Sequence, residues 1–181
     1  MSSTLDDIIA KAKALARRNE TDEAMRLATE LTGQYPKEME AWLLQGYLHE
    51  LEDDYPKAVA DLTRAMELNP SEPHLYYSRG RYLFQLHEDD PAVRDFNKGL
   101  AMCDFNNNDY YREELHFWRA EALLRLGAKE EALKDLSQVP DDFRSWTYAL
   151  RTKQDLLRDC GVSVSSTCGN AVISAGTSPR R

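Results

Sequence analysis

Apolar residues in the second quarter of the chain recur at helical spacing and are interrupted at polar turns. The first stretch, Met39–Leu51, is apolar apart from a central glycine, Gly46, and a few charges, and the turn "EDDYP" follows it. Asp54 in that turn can cap a second helix, Tyr55–Leu68, and Pro70 ends it because proline cannot continue a helix. The pattern therefore predicts two antiparallel helices joined by a short loop.

Small residues inside these helices return at a fixed interval. Gly80 stands thirty-four residues after Gly46, and Ala92 stands thirty-four after Ala58. Glycine inside a helix costs about 1 kcal/mol relative to alanine, a cost that close packing of two helices can offset. We therefore expect Gly46 to face Ala58 across the helix pair, and we expect the pair to be one unit of a repeat. The small residues in register are Ala12, Gly46, Gly80 and Ala120.

The best-defined unit resembles the tetratricopeptide repeat, whose signature is W-x2-L-G-x2-Y, then A-x3-F, then P. The residues that carry the resemblance are Trp42, Gly46, Ala58, Leu62, Ala65 and Pro70. The resemblance implies an all-α fold, an α-solenoid with a right-handed superhelix. This solenoid is expected to comprise four antiparallel helix pairs and a C-terminal capping helix that covers the open end of the stack.

The repeat register divides the chain. Repeats are predicted at about 5–38, 39–72, 73–104 and 113–140, with six residues inserted around "CDFNNNDYY". A capping helix is predicted at 142–160, where Phe143, Trp146, Leu150 and Leu157 form an apolar stripe and Gly161 ends the helix. These elements make one domain, 1–161. Residues 162–181 are small, polar and without periodicity, so we expect a disordered tail.

Composition and charge exclude several classes of function. The net charge is −8, which disfavours binding to a nucleic-acid backbone. No run approaches the ~18 apolar residues of a membrane span, and the polar start is unlike a secretory signal, so we expect a cytoplasmic protein without a membrane partner. The three cysteines and four histidines lack metal-ligand or catalytic spacing, and no phosphate-binding loop occurs. We therefore expect no metal, no cofactor and no catalytic residues.

One arc of each repeat's first helix is expected to line the concave groove that holds peptide ligands in tetratricopeptide repeat proteins. The arcs follow from a helical projection at about 100° per residue. They are Asp6, Ile9, Lys13 and Arg17; Glu40, Leu43, Tyr47 and Glu50; His74, Tyr77, Arg81, Phe84 and Gln85; and Glu114, Phe117, Glu121, Leu124 and Arg125.

Aromatic and arginine side chains in these arcs are typical of interface hot spots. Tyr47, Tyr77, Arg81 and Arg125 are expected to contact the partner, whereas Phe84 and Phe117 are candidates for either the groove or the solenoid core. The predicted partner-binding residues are Lys13, Arg17, Leu43, Tyr47, Tyr77, Arg81, Phe84, Phe117, Glu121 and Arg125.

Some members of the family grip a C-terminal carboxylate with a two-carboxylate clamp of Lys, Asn, Asn, Lys and Arg. The positions that match this clamp are Ile9, Lys13, Leu44, His74 and Ser78, of which only Lys13 fits. A clamp of this kind is therefore not expected.

The favoured function is a non-catalytic protein–protein interaction module, a scaffold or adaptor that binds a peptide or protein segment in its groove. A second possibility is a dedicated chaperone or neutralising partner of a single protein, which could be secreted. An enzyme is disfavoured, and the sequence leaves the oligomeric state open.

Overall fold

The computed structural model describes residues 4–145 and 151–162, and these residues form nine α-helices. The helices are α1 (Leu5–Arg17), α2 (Thr21–Gln34), α3 (Met39–Leu51), α4 (Tyr55–Leu68), α5 (Pro73–Gln85), α6 (Asp89–Asn106), α7 (Arg112–Arg125), α8 (Lys129–Leu136) and α9 (Lys153–Asp159).

Polar caps set several of the helix starts. Thr4 accepts a hydrogen bond from the backbone N–H of Asp7, and the Asp7 carboxylate accepts one from the backbone N–H of Thr4, which makes a capping box for α1. Asp54 accepts a hydrogen bond from the backbone N–H of Lys57 at 3.3 Å and so caps α4. The predicted bounds of α3 and α4 are confirmed, and so is the predicted cap at Asp54.

Sequential helices pack against one another along the chain. The pairs α1–α2, α3–α4, α5–α6 and α7–α8 pack within repeats, and α2–α3, α4–α5 and α6–α7 pack between them. The first helices of neighbouring repeats also touch, α1 with α3 and α5 with α7. The described part of the chain is therefore an all-α, solenoid-like stack, as the sequence predicts.

The close approach of helices is tighter at Gly80 than at Gly46. A Cβ built on Gly80 would lie 2.6 Å from the Phe96 ring, a distance that real Cβ atoms do not reach. A Cβ on Gly46 would lie 3.4 Å from Asp61 Cβ and 3.5 Å from the Ala58 carbonyl oxygen, which are ordinary contacts. Gly46 does face Ala58 as expected, but of these two positions it is Gly80 at which the packing requires a glycine.

Three buried aspartates at equivalent positions of α4, α6 and α8 tie together the two helices of the second, third and fourth repeats. Each carboxylate meets a basic or imidazole side chain of the preceding helix. Burial raises the pKa of Asp61. Burial would also raise the pKa of Asp135, but hydrogen bonds from Arg119 and His116 outweigh it and leave that pKa lowered. The pairs are Asp61 with His49, Asp95 with Arg79, and Asp135 with Arg119 and His116.

The residues inserted into the third repeat mainly lengthen α6. This helix has 18 residues, four more than α4, and is followed by the cap residue Asn107, which has the left-handed conformation with φ of 49°. The third repeat therefore runs past its predicted end at 104, and α7 begins after a short turn at Arg112.

The C-terminal helix is shorter than predicted. Instead of covering 142–160, α9 covers Lys153–Asp159, and residues 143–145 are not helical. Thr152 and Asp155 form a capping box that starts the helix at this later position. The predicted helix began earlier because the prediction followed the apolar stripe from Phe143 onward. Gly161 follows the helix with φ of +88°, as a C-terminal glycine cap does. Trp146, Leu150 and the predicted tail, apart from Val162, lie outside the described residues.

Candidate functional site

A cavity of about 550 Å³ lies beside the first helices of the first three repeats, α1, α3 and α5. Its walls include side chains from all three helices, and Tyr111, just before α7, also lines it. The size is within the range of ligand-binding pockets in proteins. The cavity is therefore the candidate functional site.

Equivalent positions of successive repeats build this cavity. Along each first helix the relevant side chains are three and then four residues apart, which places them on one face. We call these positions rows. Row one is Asp6, Glu40, His74 and Glu114; row two is Ile9, Leu43, Tyr77 and Phe117; row three is Lys13, Tyr47, Arg81 and Glu121.

The first two repeats present their rows to the cavity. Asp6 and Glu40 of row one are exposed, and Leu43 and Tyr47 are half-buried on its wall. Lys13 is exposed and has no ion-pair partner within 4 Å among residues 4–145 and 151–162. These side chains leave both apolar surface and charge available to a ligand.

Arg17, at the last turn of α1, adds a second exposed cation to the same wall. It makes no ion pair with an acidic side chain within the described part of the chain. Together with Lys13 it makes the C-terminal end of α1 basic, whereas Asp6 makes its N-terminal end acidic.

Buried contacts fix the wall that α5 provides. Tyr82 Oη donates a hydrogen bond to Glu50 at 2.6 Å, and Arg81 Nη2 donates another at 3.0 Å. The Arg81 guanidinium also lies 5.4 Å from the ring centre of Tyr77 and 5.6 Å from that of Trp118. Burial and the Glu50 carboxylate raise the pKa of Tyr82, which keeps its hydroxyl protonated as a donor. Arg81 is therefore engaged within the chain.

An aromatic cluster closes the end of the cavity near α7. The Tyr111 ring centre lies 5.3 Å from that of Tyr77 and 6.2 Å from that of His74. Burial lowers the pKa of His74, against the opposing effect of Glu72 and Glu40, so its imidazole is neutral at pH 7. This end of the cavity is consequently aromatic, with a neutral imidazole at its edge.

The fourth repeat differs because the chain covers its rows. Residues 140–145, which we call the return segment, run back over α7 after α8. Ser145 Oγ donates a hydrogen bond to Glu114 at 2.8 Å, and the Phe143 ring centre lies 5.3 Å from that of Phe117. Glu114 also accepts hydrogen bonds from Tyr77 Oη and Trp118 Nε1, at 3.2 and 3.1 Å. Rows one and two of this repeat are therefore buried.

Row three of the fourth repeat is also occupied. Arg151, just before α9, lies 3.7 Å from the Glu121 carboxylate. Burial raises the pKa of Glu121, and the cations Arg151 and Arg125 partly offset that rise. Lys153 holds the base of the return segment, since its Nζ donates hydrogen bonds to the Val139 carbonyl and to Asp141, each at 2.6 Å.

Arg125 and Phe84 interact with each other instead of lining the cavity. The Arg125 guanidinium lies 3.9 Å from the Phe84 ring centre and donates a hydrogen bond to the Phe84 carbonyl at 3.1 Å. It also donates to His87 Nδ1 at 2.6 Å and lies 3.1 Å from Asp89. The arginine thus bridges the ends of α5 and α7.

The ten predicted partner-binding residues therefore divide into two sets. Phe84 and Phe117, left open between groove and core, are buried side chains of the core. Arg81, Glu121 and Arg125 also lie outside the cavity, and each is held by an ion pair within the chain. The helical projection could not show these ion pairs. Those that line the cavity are Lys13, Arg17, Leu43, Tyr47 and Tyr77, and those that do not are Arg81, Phe84, Phe117, Glu121 and Arg125.

Four further residues, which the predicted arcs did not include, also line the cavity. Leu44 and Ser78 are equivalent positions next to row two, so the same register could have identified them. Tyr82 reaches the cavity from beside row three, and Tyr111 comes from the inserted turn, whose path the repeat register does not specify.

The described residues contain no group of three or more histidine, cysteine or acidic side chains placed to hold a metal ion. Nor is any helix in 4–145 or 151–162 both long and apolar enough to cross a membrane.

Comparison with known proteins agrees with the repeat register. Residues 9–73 match the model of the family described as tetratricopeptide repeat. No curated protein sequence matches the chain. Among solved structures, MamA is 19% identical with a TM-score of 0.65, and the match covers 74% of this chain and 74% of MamA.

Two further solved structures have the same fold. TTC0263, a thermophilic TPR protein of Thermus thermophilus, is 19% identical with a TM-score of 0.59, over 73% of this chain and 70% of that chain. YrrB, a TPR protein with an unusual peptide-binding site, is 21% identical with a TM-score of 0.62, over 72% of this chain and 64% of that chain. The tetratricopeptide repeat prediction is thereby confirmed, by sequence over residues 9–73 and by fold over about three quarters of the chain.

Proposed function

We propose that this protein is a non-catalytic interaction module that holds an extended segment of a partner protein in the cavity beside α1, α3 and α5. The observation that carries the proposal is the cavity itself, which collects equivalent side chains from three consecutive repeats. A partner segment that lies along the stack would meet an acidic and an apolar side chain at α1 and again at α3. YrrB, which shares the fold, is described as having a peptide-binding site, and this supports the same mode here.

The composition of the wall suits a peptide. Tyr47 and Leu43 offer rigid apolar surface that is half-buried before any ligand arrives, so little side-chain freedom is lost on binding. Lys13 and Arg17 are exposed, and their charges remain available to a ligand. Aromatic anchors with a charged rim are the usual chemistry of binding hot spots.

The test is selection from a phage-displayed library of random dodecapeptides on the purified chain. Selected peptides are then synthesised, and their dissociation constants are measured by fluorescence anisotropy. We expect Tyr47→Ala to weaken binding about thirtyfold, the effect of truncating a hot-spot residue. Tyr35→Ala is the matched control, because Tyr35 packs on the same core cluster as Tyr47 but does not line the cavity.

Circular dichroism of both variants establishes that each stays folded. Equal affinity of the parent and folded Tyr47→Ala for every selected peptide would contradict the proposal, as would a library from which no peptide is selected.

A further inference from the structure

The fourth repeat shows how a non-helical segment engages the rows, because the chain's own return segment lies on them. An aromatic side chain, Phe143, packs on row two at Phe117. Two residues later a hydroxyl, that of Ser145, donates a hydrogen bond to the row-one carboxylate of Glu114. The segment is not helical at these residues. It therefore acts as an intramolecular ligand of the fourth repeat.

The open repeats present the same chemistry at the same positions. Row one carries carboxylates at Asp6 and Glu40, as at Glu114, and row two carries apolar side chains at Ile9 and Leu43 where Phe117 stands. The difference is exposure, since Asp6 and Glu40 face solvent whereas Glu114 is only 2% exposed. Carboxylates beside an apolar row are thus available in two repeats for the contacts that the return segment makes in the fourth.

The spacing of the rows fits an extended chain. Row-one and row-two side chains are three residues apart on a helix, which separates their Cβ atoms by about 5–6 Å. Alternate residues of an extended chain point the same way and are about 6.6 Å apart. An aromatic residue and a donor two residues later therefore reach the two rows together, as Phe143 and Ser145 do.

We propose that the partner segment recognised by the cavity is an extended peptide with a large apolar residue followed two positions later by a hydrogen-bond donor. This rests on the proposed function and specifies its ligand. The apolar side chain packs on row two at Leu43, and the donor, a hydroxyl, amide or amino group, binds the carboxylate of Glu40 or Asp6. The row-three contact of the fourth repeat, between Arg151 and Glu121, has no counterpart in the first repeat, because Lys13 has the opposite charge to Glu121.

The probe is the heptapeptide acetyl-VPNNFRS-amide, which is residues 139–145 with Asp141→Asn and Asp142→Asn to remove repulsion from the row-one acids. Nuclear magnetic resonance titration of the whole chain measures its weak affinity. We expect saturable binding that shifts the amide signals of the Leu43 and Tyr47 region. The peptide with Phe143→Ala is expected to bind about tenfold more weakly, since the buried ring supplies most of the apolar contact.

A pair of protein variants with equal charge change isolates row one. Asp6→Asn/Glu40→Gln removes both open carboxylates, and we expect about tenfold weaker binding because charged acceptors make the stronger hydrogen bonds. Asp22→Asn/Glu38→Gln is the matched control, exposed and outside the cavity, and should bind like the parent.

The outcomes separate this inference from the proposed function. If selected dodecapeptides bind the cavity but the heptapeptide does not, or binds equally without its phenylalanine or without the row-one carboxylates, the inference is wrong and the proposed function stands. If the heptapeptide shifts signals of α7 instead of α3, the inference is likewise overturned. If neither kind of peptide binds, both proposals fail.

Discussion

The two ends of the helix stack use the same positions of the repeats' first helices for different purposes. In α1 and α3 the row residues line a cavity and remain exposed or half-buried, whereas in α7 the equivalent residues are buried beneath the return segment. Leu43 and Phe117 occupy the same register, yet one is a wall of the cavity and the other is core. Register therefore tells where a side chain points, and contacts from distant parts of the chain decide whether a ligand can reach it.

The largest difference in stability between the two ends is expected when a row-two side chain is truncated. Phe117→Ala should lower the free energy of unfolding by about 3–5 kcal/mol, because Phe117 is 1% exposed and its removal leaves a cavity between α7 and the return segment. Leu43→Ala should cost less than half as much, since solvent already reaches Leu43. Chemical denaturation measures both values. Equal losses would show that the two ends are packed alike.

The glycines provide the next contrast. Gly80→Ala should destabilise by about 1–3 kcal/mol, because its Cβ would lie 2.6 Å from the Phe96 ring and force a shift. Gly46→Ala should be neutral or stabilising by up to about 1 kcal/mol, since helix propensity improves and the nearest contacts are ordinary. The same denaturation series checks this prediction, which fails if Gly46→Ala is the more damaging of the two.

The row-three residue Glu121 is expected to make the stability of the protein depend on pH. Burial raises the pKa of Glu121 above its value in the unfolded chain, so its contribution to stability is fully present below the unfolded pKa and is lost as pH rises through the folded pKa. Relative to the parent, Glu121→Gln should therefore gain stability as pH rises from about 4 upward. Arg151→Ala removes an opposing cation and should extend that window to higher pH.

Unfolding free energies measured at a series of pH values test this. Exposed Glu130→Gln serves as the control and should follow the parent. A Glu121→Gln curve parallel to the parent curve would contradict the raised pKa of Glu121.

The smallest effect on stability is expected for the open cations. Lys13→Ala and Arg17→Ala should each change the free energy of unfolding by no more than about 0.5 kcal/mol, because both side chains are exposed and make no ion pair in the part of the chain that the structure describes. A loss of several kcal/mol on denaturation would place them in the packing, not in the site.

Much of the fold could be predicted because the repeat is local. A period of thirty-four residues, carried by Gly46, Gly80, Ala58 and Ala92, gives the helix pairs and the bounds of α3 and α4. The same register, with its six-residue insertion, would have revealed the aspartates that join the helices of the last three repeats, at Asp61, Asp95 and Asp135, had polar positions been compared as apolar ones were.

The lining of the candidate cavity was predicted only in part, because coverage by other parts of the chain depends on contacts distant in sequence. The helical projection put Tyr47, Tyr77 and Glu121 on one arc and left Phe117 open between groove and core, and of these only Tyr47 and Tyr77 line the cavity. Phe143 was assigned to the apolar stripe of a capping helix, so its contact with Phe117 on α7 was not predicted. Periodicity carries no information about a non-repeating segment that folds back on the stack.

The central claim is that a partner segment binds the cavity beside α1, α3 and α5 and not the covered residues of α7. Amide chemical-shift mapping of the isotope-labelled chain with a selected dodecapeptide tests it most directly. The account predicts that saturating peptide shifts the signals of row residues in α1, α3 and the start of α5, while those of Phe117 and Glu121 in α7 stay in place. Shifts confined to α7, the return segment or the inserted turn before Tyr111 would contradict it.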